Sequence, residues 1–148
     1  MSQESLVHKV VAAPLCSGVA TSIVFALSSI LAGRELSSVL SIAPLFFVIG
    51  AVMGGICGVP LVLLLEWKAS SWRLRYFFMG PVCALCGWLL FEGAFAGGAW
   101  QKVWSSSSFW LEWAPRRVLV FSLIGLLAAL LFTASISLVT HFRTRGSR

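Results

Sequence analysis

Charged residues divide this chain into four long apolar runs, 10–32, 42–65, 76–96 and 118–140, and within them only Glu92 carries a charge. Each run is long enough for a helix to cross a bilayer, which takes about 20 apolar residues. An unpaired backbone donor or acceptor in hydrocarbon costs several kcal/mol, so only helices and closed barrels span. Barrel strands alternate apolar and polar positions over about ten residues, and these runs do not. The expected fold is therefore an all-α integral membrane protein, with one domain over 1–148 and four transmembrane helices in a compact bundle. Composition agrees: 11% of residues are charged, 59% are apolar, and the mean hydropathy is +0.94. A soluble domain is about one-quarter charged.

Lysine and arginine bias in short loops sets orientation. With the N-terminus inside, Lys9, Lys68, Arg73, Arg75, Arg143, Arg145 and Arg148 fall on the cytoplasmic side, against Arg34, Lys102, Arg116 and Arg117 outside. Both termini are expected in the cytoplasm. The first run is too long for a signal peptide and has a weak cleavage candidate, so it reads as an uncleaved span. The net charge of +6 then reads as anchoring to the bilayer. No basic patch is interleaved with stacking aromatics, so no nucleic-acid partner is expected.

Gly50, Gly54 and Gly58 recur every fourth residue within the second run. Glycine costs a helix interior roughly 1 kcal/mol relative to alanine. In lipid, however, helices associate by close packing, and small residues four apart let backbones approach. The other runs carry similar lines: Gly18, Ser22 and Ala26; Gly80 and Ala84; Gly125, Ala129, Thr133 and Ser137. All are expected to face inward in one bundle, with a homo-oligomer seam at Gly50–Gly58 as the alternative. Pro60 should kink the second helix.

The pair Cys83 and Cys86 resembles the Cys-x-x-Cys of the four-helix, quinone-linked thiol oxidases of bacterial membranes. That family carries a second pair in an external loop, whereas here Cys16 and Cys57 lie in other runs. All four are therefore expected as reduced, buried small residues. The chain has no aspartate and two histidines, and its five glutamates are scattered one per segment. No catalytic residue, metal site or cofactor site is expected, and the chain reads as a non-enzyme.

Glu92 reads as the one ionisable residue inside a span, and such residues are functional candidates by default. A lone glutamate in a four-helix chain is similar to the small multidrug transporters, where it lies near mid-membrane in the first helix. The small fluoride channels are also four-helix chains, but they use an asparagine, which is absent here. Seventeen residues separate Arg75 from Glu92, about 25 Å of helix, which puts Glu92 near the outer edge of the membrane. Arg116 and Arg117 follow Pro115 at a comparable depth, so the expectation is an ion pair between Glu92 and one of them.

The segment 100–117, WQKVWSSSSFWLEWAPRR, holds Trp100, Trp104, Trp110 and Trp113. Tryptophan favours the membrane–water boundary, and this spacing suggests a short interfacial helix between helices 3 and 4. Its tryptophans are candidates for a partner surface, since Trp and Arg dominate interface hot spots. The functional expectation is a bacterial inner-membrane protein acting by contact with another membrane protein or a toxin. Its small, helical, polytopic architecture resembles that of immunity proteins against pore-forming colicins; an accessory subunit of a membrane complex would look alike. The alternative is a small oligomeric transporter or channel with the glycine line at its seam.

Overall fold

The computed structural model describes residues 3–68, 75–95 and 105–146. Among these there is no strand. Helix α1 is Gln3–Leu31; α2 runs Leu36–Lys68 and contains a π-helical turn, Gly54–Gly58. Helix α3 is Arg75–Phe95, and α4 opens with a second π turn, Phe109–Trp113, and continues as Ala114–Gly146. Three helices are long and apolar enough to cross a membrane: Leu6–Leu31, Leu36–Lys68 and Phe109–Val139. Their surfaces match that solvent. Val7, Val11, Leu15, Val19, Ile23, Leu27 and Leu31 form an exposed stripe along α1. In water such a continuous apolar patch would drive association; in hydrocarbon it is the expected exterior.

The turn from α1 to α2 depends on one glycine. Gly33 has φ +76°, a left-handed conformation that residues with a Cβ rarely adopt. The Arg34 N–H reaches the Ser29 carbonyl at 3.1 Å, and the Gly33 N–H reaches the Ile30 carbonyl at 2.9 Å. These are the two bonds of a Schellman cap, which satisfies carbonyls that the helix end would otherwise orphan. The chain then reverses and lays α2 antiparallel to α1.

Both π turns end two residues before a proline, Pro60 and Pro115. Proline lacks an N–H and its ring crowds the carbonyl four residues back. Here the N–H of the residue before each proline bonds five residues back, Val59 to Gly54 and Ala114 to Phe109. Insertion of one residue into the turn thus relaxes the ladder just where it must fail. Pro115 thus lies inside the helix that the second π turn opens. From residue 107 on, the Trp-rich segment, with Trp110 and Trp113, is continuous with α4; its first part, 100–104, lies outside the described residues. Ser106 provides the cap, its Oγ accepting from the Phe109 N–H at 3.4 Å.

Small residues set the two tight crossings. Between α1 and α2, a Cβ on Gly50 would come within 2.7 Å of Thr21 Cβ, and one on Gly54 within 2.5 Å of Ser17 Cβ. Phe25 stacks on Phe46, and Ser22 Oγ donates to the Ala43 carbonyl at 3.1 Å. Between α3 and α4, Gly80 meets Gly125 backbone to backbone, with buried Ala129 one turn on. Helices α1, α2 and α4 meet at Ala12, Val62 and Phe132, with Tyr76 of α3 and Ile136 of α4 packed against them.

Gly50, Gly54 and Gly58, the four-residue line of α2, are not equivalent. A Cβ on Gly58 would find only ordinary contacts, 3.7 Å to Cys83 Sγ and 3.9 Å to Ala13 Cβ. The extra residue in the π turn rotates Gly58 away from the line of Gly50 and Gly54, toward α3. Sequence spacing alone assumes an unbroken α ladder and misses this rotation.

Candidate functional site

At one end of the bundle the start of α1, the end of α2 and the start of α3 meet. Glu66 accepts from Lys9 Nζ at 2.9 Å, and also from Arg75 and from the Tyr76 hydroxyl. Arg75 in addition donates to the Leu65 carbonyl at 3.4 Å and to the Tyr76 hydroxyl at 3.1 Å, and its guanidinium lies over the Tyr76 ring. The side chains of Lys9, Glu66 and Arg75 are only 11%, 5% and 10% exposed. In the sequence Lys9, Glu66 and Arg75 flank the apolar runs; the fold buries them together. Glu92 is therefore not the only interior carboxylate, nor the most buried one. A signal was present, since the lone tyrosine of the chain directly follows Arg75 at the edge of an apolar run.

At the opposite end, Glu92 pairs with Arg117 and accepts from Trp88 Nε1 at 3.3 Å. Trp88 is 2% exposed, so its indole N–H needs a buried acceptor, and Glu92 one helical turn on supplies it. Phe109 and Phe121 stack on the Trp88 ring at centroid distances of 6.4 and 5.9 Å, and Arg117 lies 6.0 Å from the Trp113 ring. Arg116 points outward, exposed. Trp110 and Trp113 are 37% and 59% exposed on the first turns of α4, with Leu111 between them at 79%. Trp100 and Trp104 lie outside the described residues.

Between the two charged ends runs a central apolar cleft of about 120 Å³. It is lined by Gly50, Met53, Gly54 and Gly58 from α2, by Tyr76, Cys83, Gly87, Trp88 and Phe91 from α3, and by Phe121, Ile124 and Phe132 from α4. The cleft lies where the Leu36–Met53 half of α2 packs mainly on α1, while α3 meets α2 mainly at the π turn and beyond it. Thr21, also at its wall, has its hydroxyl committed to the Ser17 carbonyl at 2.8 Å. All four cysteines are free thiols; Cys83 lines the cleft and Cys86 is exposed on the outer face of α3. Among the described residues no group of three His, Cys, Asp or Glu side chains could hold a metal ion.

No protein family, curated protein or solved structure matches this chain.

Proposed function

We propose that the chain is a four-span protein of the bacterial inner membrane, with both termini in the cytoplasm, that acts by contact with another protein. Helix α3 has 21 residues, about 32 Å at 1.5 Å each, and so matches the roughly 30 Å hydrocarbon core as a fourth span. The observation that carries the reading is the surface at the start of α4. There, exposed Trp110, Leu111 and Trp113 adjoin Arg116 and Arg117 at what would be the outer face. Large aromatic and arginine side chains of this kind form the energetic centre of protein interfaces. Both interior carboxylates have partners within the chain, Glu66 with Lys9 and Arg75, Glu92 with Arg117. Among the described residues, neither Glu66 nor Glu92 lines the central cleft. Gly50 and Gly54 are covered by α1 of the same chain, so an oligomeric transporter would need another seam.

In its most specific form the proposal is immunity to a pore-forming toxin. Cells expressing the chain, challenged with a panel of pore-forming colicins, should survive one member or a close group, and a Trp110→Ala/Trp113→Ala variant inserted to the same level should lose that protection. A photo-crosslinker at position 113 should give one discrete adduct in native membranes, with the toxin or with a resident complex. Ion or drug flux catalysed by the purified protein alone in proteoliposomes would refute the binding reading.

A further inference from the structure

Both exposed tryptophans at the start of α4 trace back to one buried residue of α3, Trp88, by two separate routes. The first is apolar. Phe109 stacks on the Trp88 ring and meets Trp110 edge-on at a centroid distance of 5.4 Å. The second is polar. The Trp88 indole donates to Glu92, Glu92 pairs with Arg117, and the Arg117 guanidinium lies over the Trp113 ring, 6.0 Å from its centroid. Exposure rises along this second route, from the core at Trp88 to the surface at Trp113. The anchored end is the inner one, because Phe109 and Phe121 both stack on Trp88. A long arginine side chain otherwise samples many rotamers. A carboxylate accepting from its planar fork fixes its orientation, and a fixed cation attracts the face of an indole. An aromatic side chain ordered before binding spares the partner the cost of ordering it.

We propose that Glu92 is a positioning residue of the contact surface: it holds Arg117 over Trp113 and so presents that indole to the partner in one orientation. This rests on the reading of the start of α4 as a contact site. Glu92→Gln is the probe, because a glutamine oxygen still accepts from Trp88 while the charge that holds Arg117 is gone. The full chain, labelled with fluorotryptophan in detergent micelles, is read by fluorine NMR, with resonances assigned through Trp110→Phe and Trp113→Phe. In Glu92→Gln the Trp113 resonance should move by more than its linewidth. The Trp110 resonance, tied to Trp88 through Phe109, should stay. General loosening of this end of the bundle would move both. In native membranes a photo-crosslinker in place of Leu111, 79% exposed, reports the partner. The cost of ordering one side chain sets the expected loss of adduct in Glu92→Gln at about two- to tenfold. A Trp113 resonance that stays in place, or that moves together with Trp110, overturns the proposal, and so does an unchanged adduct yield. Loss of adduct with Trp113 unmoved also overturns it, since Glu92 would then touch the partner itself. Absence of any adduct in the unsubstituted chain refutes the contact reading instead, and the two resonances then decide whether Glu92 holds Trp113.

Discussion

Alanine substitutions at Gly125 and Gly87 place the same methyl group into opposite surroundings on facing helices. At Gly125 the added Cβ would lie 2.6 Å from the Gly80 carbonyl carbon and 2.7 Å from Pro81 Cα. Both are backbone atoms that no rotamer change can move aside. Carbon atoms pack at about 3.5–4.0 Å, so α3 and α4 must separate by about 1 Å along their tightest crossing. Overpacking of this kind costs about 1–3 kcal/mol, and a backbone clash belongs at the upper end. Helix propensity returns about 1 kcal/mol, which leaves Gly125→Ala destabilised by about 2 kcal/mol. At Gly87 the Cβ would meet only Met53 Cβ at 3.5 Å, an ordinary contact at the cleft wall. There the propensity gain stands unopposed, and the variant should be stabilised by up to about 1 kcal/mol. Titrating both variants with denaturing detergent in mixed micelles, read by far-UV circular dichroism, should separate them by about 3 kcal/mol. Equal shifts for the two would refute the claim that backbone contact at Gly80–Gly125 holds α3 to α4.

Glu66→Gln should destabilise the fold by about 3–5 kcal/mol, because it leaves Lys9 and Arg75 buried against a neutral group. Glu92→Gln should cost about 1 kcal/mol or less, since Glu92 and Arg117 are 23% and 38% exposed; the same detergent titration reads both, and a reversed order would contradict the burial pattern. Gly33→Ala should cost about 1–2 kcal/mol through its left-handed backbone alone, with nothing within 4 Å of the new Cβ to add a clash, as thermal unfolding in micelles would show. Cys83 and Cys86 should remain thiols in native membranes and resist membrane-impermeant maleimides from either side; mass-spectrometric detection of a Cys83–Cys86 disulfide would revive redox chemistry at that pair.

The helical class, the apolar exterior and the small-residue lines were legible in the linear chain, because each depends on local composition or on spacing within one helix. Gly18, Gly50, Gly54, Gly80 and Gly125 could be recognised as packing residues before any partner was known, since close approach in lipid requires small side chains whichever helix faces them. A charge pair near Glu92 could be anticipated because adjacent antiparallel helices bring their linked ends to similar depth. Three features came only with the tertiary structure. Lys9 and Glu66 are 57 residues apart, and the tyrosine beside Arg75 does not say that α1 delivers a second cation to the end of α2. Gly58 departs from its line because the π turn before Pro60 adds a residue, a ladder change that four-residue spacing cannot register. The cleft is set by where α2 leaves α3 to follow α1, and a void belongs to no residue. Its width, its length and the charge at its end are decided by the relative placement of helices, which close packing determines and periodicity within a single helix does not.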